Sequence, residues 1–282
     1  MDADAEKTGF YPVFLHPNPS GSNRFDLRFE PGLVCRLRNY EVIFVMPTQV
    51  NTAAFTVFTF GTPEADTLLV QMVDDHDLEV IESEVAYIRE LSGGQAFSLM
   101  AVKVNSWNND LSPWSAPAVF GNEGFGNGAG ETLNYLLENI LPDQKETNRQ
   151  TTKRIYIGGY SLAGLFALWA GCQTDRFDGI AAASPSVWFP NFTGYMQDHK
   201  LHTDTIYLSL GDKEERTRHP VMSQAGNAIR EVYALLTDYG KNCVLEWNKG
   251  NHFRDPDLRT AKAFAWVMTC HDDHGWTYTP EE

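Results

Sequence analysis

Residues 153–170, KRIYIGGYSLAGLFALWA, change from a strand-like to a helix-like pattern around one residue, Ser161. The first part, RIYI, is a short β-branched and aromatic run that ends in glycines, which is typical of a buried strand. The second part, LAGLFALWA, is apolar over a length that favours a helix packed against a sheet. The stretch therefore predicts a strand, a tight turn at Ser161 and a buried helix.

The turn at Ser161 matches the nucleophile elbow G-x-S-x-G at one glycine and departs from it at the other. In that motif the serine stands on a strained turn, and small neighbours allow the close packing that the turn requires. Gly159 occupies the first position, but Ala163 replaces the second glycine and Gly164 follows one residue late. Two interpretations follow: a catalytic serine on a strand–turn–helix, or a Gly/Ser loop that leads into a buried helix.

Strand-like and helical segments alternate along most of the chain. This alternation indicates an α/β fold with a mostly parallel central sheet and helices on both faces, and it predicts one domain over residues 1–282. Residues 1–50 are predicted to form N-terminal strands or a hairpin, and residues 105–130 a loop that borders the active site. Because functional groups in such sheets lie at the carboxyl ends of strands, we expect reactive side chains just after each strand.

Two later strand ends offer a base and an acid. His252, in KGNHFRDP, follows the strand CVLEWN and precedes the last helix. The loop GDKEERTRHP follows the strand TIYLSL and contains three carboxylates, Asp212, Glu214 and Glu215. Glu214 is the favoured acid because it lies three residues after Gly211, and Asp212 is the alternative. Glu215 stays open, and all three carboxylates could instead be solvated loop charges.

The serine, the acid and the histidine occur in that order, each after its own strand, which is the order found in α/β-hydrolases. In such a triad the acid fixes the tautomer of the histidine and stabilises the imidazolium ion. The order predicts an α/β-hydrolase fold with a triad of Ser161, Glu214 and His252. Ser184 and Ser186 also follow a strand end and could face the pocket without being catalytic.

Several stretches resemble the predicted bacterial esterases of the α/β-hydrolase superfamily, in the branch of the enterochelin-type trilactone esterases and S-formylglutathione hydrolases. They span roughly residues 68–266 and read VDDHDLEVIESEV, DLSPWSAPAVFG, GGYSLAGLFALWA, SPSVWFP, LGDKEERTRHPVM and WNKGNHFRDPDLRTAKAFAW. The resemblance implies an acyl-serine mechanism on Ser161, with His252 as base and a carboxylate of the GDKEE loop as the orienting acid.

The oxyanion hole is harder to predict, because the chain contains no HGGG-type segment. By topology, the hole would pair the Leu162 amide, at the positive end of the buried helix, with an amide near Asp74 and Asp75 in the loop after LLVQMV. Asp77 is predicted to be the N-cap of the next helix, with Asp74 and Asp75 as polar loop residues. Adjacent residues on one loop rarely ligate one metal, so DDHD predicts no metal site.

Aromatic residues that follow strands could wall an apolar acyl pocket. Trp107 and Trp188 are the predicted pocket residues, Trp114 and Phe125 are further candidates, and ordinary packing is the alternative for each. The glycine-rich residues 120–133 lack the preceding strand that a dinucleotide-binding loop requires, so no nucleotide cofactor is predicted.

Composition and charge narrow the class of partner. A formal charge of −15 repels phosphate backbones and anionic membranes, so neither a nucleic acid nor a membrane is predicted as a partner. The segment MDADAEKTGF lacks the basic and apolar regions of a signal peptide, and no apolar run is long enough to span a membrane. The four cysteines are far apart and are typical of reduced thiols. Together these features predict a cytoplasmic protein.

These features predict a serine esterase that cleaves carboxylic esters of small molecules through an acyl-serine intermediate, without a metal or organic cofactor. Two alternatives stay open. One is an acyltransferase that passes the acyl group to an alcohol with the same triad. The other is a non-catalytic binding protein on a degenerate hydrolase fold. The sequence predicts no oligomeric state.

Overall fold

The structure is a computed structural model that describes residues 34–37, 40–43, 48–63, 65–119, 121–141 and 154–270. The chain divides into two compact units, Met1–Phe44 and Val45–Glu282. In the first unit, strands β1 (Val34–Leu37) and β2 (Tyr40–Ile43) form an antiparallel pair. This pair lies in the region for which the sequence predicts strands or a hairpin, and the assignment of one domain to the whole chain stays a prediction.

The second unit contains an eight-stranded sheet. Its strands are β3 (Thr48–Asn51), β4 (Thr56–Gly61), β5 (Thr67–Val73), β6 (Ser98–Lys103), β7 (Arg154–Tyr160), β8 (Gly179–Ala183), β9 (Thr205–Gly211) and β10 (Asn242–Asn248). They lie in the order β3-β4-β6-β5-β7-β8-β9-β10. From β6 to β10 neighbouring strands are parallel, whereas β4 is antiparallel to both of its neighbours. The prediction of a mostly parallel central sheet is confirmed.

Helices connect most of the parallel strands. The helices in the described part of the chain are α1 (Asp75–Leu91), α2 (Trp107–Asp110), α3 (Ala129–Tyr135), α4 (Leu162–Gln173), α5 (Phe192–Asp198), α6 (Ala225–Asp238) and α7 (Pro256–Thr269), of which α7 follows the last strand. A π-helical turn, Leu136–Ile140, continues α3, and a 3₁₀ turn, Met222–Gln224, leads into α6.

Successive side chains of the central strands enter two different cores. In β5, Leu68, Val70 and Met72 pack in the core that contains α4 and α6. Leu69 and Val73 pack in the core that contains α1 and α7. This alternation is the period of two that a strand imposes, and it requires helices on both faces of the sheet. That prediction is also confirmed.

Helix α4 is apolar all round because it has no solvent-facing side. Every residue from Leu162 to Cys172 is buried. A helix with this pattern lies in the interior of a protein rather than on its surface. Since α4 begins directly after Ser161, its position fixes the turn that carries the serine against the sheet.

The start of α1 corrects one sequence-based prediction. The N-cap is Asp74 and not Asp77, and the helix begins at Asp75. The Asp74 carboxylate accepts hydrogen bonds from the amides of His76 at 2.7 Å and Asp77 at 2.9 Å. In return, the Asp77 carboxylate accepts from the Asp74 amide at 3.1 Å. The two aspartates form a reciprocal capping box, so Asp77 contributes from the first turn.

Candidate active site

Ser161 has a backbone conformation that residues other than glycine seldom adopt, with φ 56° and ψ −117°. Its amide donates to the Ala183 carbonyl at 3.1 Å, and its carbonyl accepts from the Ser186 amide at 3.0 Å. These two hydrogen bonds tie the turn to the segment after β8, so the surrounding structure maintains the strain. A strained serine between a strand and a helix is the arrangement of a nucleophile elbow.

Gly159 leaves the space that the Ala163 methyl group occupies. A Cβ atom built at Gly159 would lie 2.6 Å from the Cβ of Ala163, and the φ of Gly159 is +152°. Gly164 makes the other close approach, because a Cβ atom there would lie 3.1 Å from the Cβ of Pro185. The elbow therefore accepts alanine at its second small position, since the first remains glycine.

His252 lies in the loop after β10, where its two ring nitrogens reach Ser161 and Glu214. Its Nε2 atom is 3.0 Å from Ser161 Oγ, and its Nδ1 atom is 2.7 Å from Glu214 Oε2. Glu214, in the loop after β9, has a side chain that is 1% exposed, against 21% for His252. The structure thus brings these three side chains together in one hydrogen-bonded row.

The other two candidate acids have different partners. Asp212 Oδ1 accepts a hydrogen bond from the Gly250 amide at 2.8 Å. The two carboxylate oxygens of Glu215 accept from the Arg230 guanidinium group, each at 2.8 Å. Asp212 therefore ties two loops together and Glu215 ties its loop to α6, whereas Glu214 contacts the histidine.

The second carboxylate oxygen of Glu214 is also fully occupied. Oε1 accepts from the Gly211 amide at 2.8 Å, from Ser184 Oγ at 2.9 Å and from Arg259 Nη1 at 3.1 Å. Burial acts to raise the pKa of Glu214, but the hydrogen bonds from His252, Gly211 and Ser184 outweigh burial and hold that pKa below its usual value. Glu214 is therefore ionised, as an acid that stabilises an imidazolium ion must be.

Arg259 lies behind Glu214 and is 2% exposed. Its guanidinium group also donates to the Tyr160 hydroxyl at 3.0 Å and to the Lys249 carbonyl at 3.1 Å. Tyr160 in turn donates to the His252 carbonyl at 2.8 Å. Burial and the negative charge of Glu214 raise the pKa of Tyr160 to about 12, so the phenol keeps its proton.

Neither Arg259 nor Tyr160 is among the residues that the sequence predicts for the site. The sequence does contain a signal for Arg259. The residue lies four positions before Ala263, which is fully buried on α7. The arginine lies on the same face of the helix as that alanine. No comparable signal marks Tyr160, because an aromatic residue in a buried strand is ordinary core.

The predicted oxyanion donors differ in what they contact. Leu162 is the first residue of α4, where helix amides point outward. The Asp74 amide is engaged by the Asp77 carboxylate at 3.1 Å and so belongs to the helix cap. Asp75 is the first residue of α1, and its side chain pairs with Lys103. The Leu162 and Asp75 amides stay predicted donors, on helices that follow the neighbouring strands β7 and β5.

The two predicted pocket residues, Trp107 and Trp188, lie on different segments of the chain. Trp188 is half-buried, with its ring centroid 6.2 Å from that of Phe125. It comes two residues after Ser186, whose Oγ atom is 3.2 Å from Ser161 Oγ. Trp107 begins α2, and both tryptophans pack against the same core. The assignment of the two residues to a pocket wall stays a prediction.

Residues 105–130 contact two of the segments that carry site residues. Phe125 packs against Trp188 after β8, and the Val119 carbonyl lies 3.1 Å from His219 Nε2 after β9. The glycines allow close packing within the segment, because a Cβ atom at Gly126 would lie 1.9 Å from the side chain of Asn109. The assignment of the segment to the border of the site stays a prediction.

Within the described ranges, no three His, Cys, Asp or Glu side chains form a group that could hold a metal ion. None of the helices there is long and apolar enough to cross a membrane. A shallow depression does not include the predicted triad, and its lining residues are Trp114, Asn191, Gly194, Tyr195, Gln197 and Asp198.

No protein-family model and no curated protein matches this sequence. Solved structures match its fold. A siderophore hydrolase, EstA from Aspergillus nidulans, has a TM-score of 0.61 at 18% identity, over 80% of this chain and 94% of that chain. An IroE-like serine hydrolase from Shewanella oneidensis has a TM-score of 0.58 at 13% identity, over 78% and 77%. An enterochelin esterase from Shigella flexneri has a TM-score of 0.56 at 16% identity, over 81% of this chain and 60% of that chain.

These likenesses establish the fold, and they confirm the prediction of an α/β-hydrolase fold. The names of the matched structures also fall in the esterase branch that the sequence resembles. At such low identity, fold similarity alone does not assign an activity, which has to be argued from the site.

Proposed function

We propose that this protein is a serine hydrolase that cleaves carboxylic esters of small molecules through an acyl-serine intermediate. The observation that carries the proposal is the hydrogen-bonded row, with 3.0 Å from Ser161 Oγ to His252 Nε2 and 2.7 Å from His252 Nδ1 to Glu214 Oε2. A nucleophile, a base within hydrogen-bond reach and a third group that orients the base are the parts that covalent catalysis by serine requires.

The first half-reaction forms the acyl-enzyme. Ser161 Oγ attacks the carbonyl carbon of the ester while its proton moves to His252 Nε2, and Glu214 stabilises the imidazolium ion that results. The amides of Leu162 and Asp75 are proposed to donate to the oxyanion, where the N-terminal dipole of α4 also favours negative charge. The tetrahedral intermediate then expels the alcohol, which takes the proton from His252.

The second half-reaction returns the enzyme to its starting state. His252 removes a proton from water, whose oxygen attacks the acyl carbon. The new intermediate collapses to the carboxylic acid, and Ser161 Oγ regains a proton from His252. Every proton transfer in this cycle uses a side chain of the row, so the mechanism requires no cofactor.

The substrate class is proposed from the similar structures together with the site. Two of them are named a siderophore hydrolase and an enterochelin esterase. We therefore propose siderophore esters as one class to assay, beside simple neutral esters of increasing acyl length. The aromatic pair of Phe125 and Trp188 would favour an apolar group close to the scissile bond.

Labelling with a fluorophosphonate probe tests the proposal directly, because the probe reacts with activated serines. The folded wild-type protein is expected to take up one label and to hydrolyse neutral esters, and Ser161→Ala is expected to do neither. Ser223→Ala is the control, because the Ser223 hydroxyl is bonded to the Pro220 carbonyl and is exposed; this variant should behave as wild type.

Two results would count against the proposal. A folded wild-type protein that neither takes up the label nor hydrolyses any ester would favour the non-catalytic interpretation of the fold. A label that persists on Ser161→Ala would show that another serine, such as Ser186, is the reactive one.

A further inference from the structure

Ser186 contacts the predicted nucleophile, as His252 does. Its Oγ atom lies 3.2 Å from Ser161 Oγ, and the residue is 1% exposed. Because Nδ1–H of His252 donates to Glu214, Nε2 is the acceptor for the Ser161 hydroxyl hydrogen. The hydrogen of the Ser186 hydroxyl is then the one that lies between the two serines, and Ser186 donates to Ser161 Oγ.

Ser184 contacts the other end of the row. Its hydroxyl donates to Glu214 Oε1 at 2.9 Å and accepts from Arg259 Nη1 at 3.3 Å. The residue is 1% exposed and has a φ of +41°, which only a few non-glycine residues of the described chain share. Such a conformation costs free energy, so the surrounding structure must maintain it. A strained serine bonded to the acid of a candidate triad suggests a function for that strain.

Pro185 lies between the two serines and anchors their segment to α4. It packs against α4 at Gly164, where a Cβ atom would lie 3.1 Å from the Pro185 Cβ atom. The Ser186 amide donates to the Ser161 carbonyl at 3.0 Å, and the Ser184 amide donates to Ser209 Oγ at 3.3 Å. Residues 184–186 are thus anchored to both the elbow and β9, independently of their hydroxyl groups.

We propose that residues 184–186 are a positioning segment for the triad. In this segment Ser186 orients the Ser161 hydroxyl group. Ser184, together with Arg259, holds Glu214 Oε1, the carboxylate oxygen that does not face His252. The inference rests on the proposed serine-hydrolase function and adds two positioning residues to it. Ser186 keeps a lone pair of Ser161 Oγ occupied, so that the hydroxyl hydrogen stays directed at His252. Ser184 and Arg259 withdraw negative charge from the carboxylate and set how strongly it stabilises the imidazolium ion.

The two serines should therefore affect different kinetic quantities. Loss of the Ser186 hydroxyl should slow attack without changing how tightly His252 holds its proton. Loss of the Ser184 hydroxyl should leave more negative charge on Glu214, and His252 would then hold its proton more tightly. In the described structure, the charged and titratable groups that contact Glu214 or His252 include Arg259 on α7 and Tyr160 on β7. Asp212, Arg254 and Asp255 lie close by in sequence, on the loops that carry Glu214 and His252.

The variant Ser186→Ala tests whether Ser186 orients the Ser161 hydroxyl group. We expect kcat for a neutral ester and the rate of fluorophosphonate labelling to fall together by about 3- to 10-fold, the effect of one neutral hydrogen bond, with KM and Tm close to wild type. The control is again Ser223→Ala. If the folded Ser186→Ala variant keeps both rates within about twofold of wild type, Ser186 does not position the nucleophile.

The variant Ser184→Gly tests whether the Ser184 hydroxyl group acts on Glu214. Glycine is chosen because it adopts a positive φ at no steric cost, which avoids a misfolded variant. We expect the acidic limb of its kcat/KM profile to move to higher pH by about 0.5 unit. The same limb should not move in Ser186→Ala. A merely structural role would lower activity at every pH and leave the limb in place, and that outcome would overturn the assignment of Ser184.

The wild-type protein separates this inference from the function on which it rests. If wild type hydrolyses neutral esters and is labelled at Ser161, but both variants have wild-type rates and pH profiles, then only the positioning role is wrong. If wild type itself is inert toward the probe and the esters, the proposed function fails and the positioning role falls with it.

Discussion

Glu214 differs from the other acids of its loop because both of its carboxylate oxygens are bound inside the protein. One oxygen faces His252 Nδ1, and the other accepts from a backbone amide, a serine hydroxyl and a buried arginine. Asp212 and Glu215 bind a loop amide and a surface arginine instead. A role in catalysis is therefore expected of Glu214 alone among these three carboxylates.

Glu214→Gln should separate this role from the general charge of the loop. The amide would donate to Nδ1 and leave Nε2 protonated, so that His252 could no longer accept the Ser161 proton. We expect kcat/KM to fall by about 10³- to 10⁴-fold, measured with a neutral ester on protein shown to be folded by circular dichroism. Glu215→Gln is the matched control and should lose less than about twofold. An equal loss in both variants would contradict the assignment.

The sequence favours Glu214 among three neighbouring carboxylates because of its spacing from Gly211, but it does not show which of them faces the histidine. They lie within four positions of one loop, and their roles depend on which carboxylate the loop turns inward. That orientation is set by contacts with Arg259 and Gly250, which are distant in sequence. The predictions of Ser161 and His252 depend less on such contacts, because each residue is marked by its place in a loop or turn that follows a strand.

At the scale of secondary-structure elements, α1 and β5 share a buried polar pair that the proposed mechanism does not use. Gln71 Nε2 donates to Glu84 Oε2 at 3.3 Å, and both residues are at most 2% exposed. Their other side-chain oxygens, Oε1 of each, have no hydrogen-bond partner within the described structure. Burial raises the pKa of Glu84 well above its usual value, and Asp77 and Asp257 raise it further.

Glu84→Gln should stabilise the protein at alkaline pH. A carboxyl group whose pKa is raised by folding contributes its stability below the unfolded pKa, and this contribution is lost as pH rises through the folded pKa. The amide carries no charge to bury, and it can donate to the unpaired oxygen of Gln71. We expect a gain of roughly 1–3 kcal/mol at pH about 9 and little change at pH about 4, measured by urea denaturation.

The exposed residue Glu82, on the same helix, supplies the control for this measurement. Glu82→Gln should change the free energy of unfolding by less than about 0.5 kcal/mol at both pH values. A Glu84→Gln variant that is no more stable than wild type at alkaline pH would show that the buried carboxyl group does not carry the expected cost.

Strands and helices were predictable where the local hydrophobic pattern agrees with the position of the segment in the folded protein. In residues 154–173, the β-branched and aromatic run forms the buried strand β7, and the uniformly apolar run forms the buried helix α4. The start of α1 was misplaced because aspartate stands at both Asp74 and Asp77, and either can cap a helix. Arg259 was missed because a charged residue on a helix is ordinarily on the solvent side.

For the molecule as a whole, the alternation of strands and helices predicts the fold class but not the order of the strands. In the sheet, β5 lies between β6 and β7, so the chain moves outward to β6 and then returns across β5. Nothing in the local sequence states which strands become neighbours. That choice depends on how the helices cover both faces, which is a property of the complete sheet.

The net charge of −15 leads to a prediction about substrate charge. The field of such a protein opposes the approach of anions and leaves neutral molecules unaffected. We expect kcat/KM for an anionic ester to rise severalfold when salt is increased from about 20 to about 500 mM, because salt screens the repulsion. A neutral ester with the same acyl group is the control. If both esters respond equally, a local positive region must compensate for the overall charge.

The contact between Tyr160 and Arg259 has a consequence for the time at which activity can arise during synthesis. The two residues are 99 positions apart in the chain, and the arginine belongs to a helix made long after the elbow. A ribosome exposes Ser161 well before it exposes His252 or α7. A nascent chain, or one cut by a protease between these regions, would carry the serine without the groups proposed to activate it. The proposed reactivity would therefore arise only after translation has passed α7.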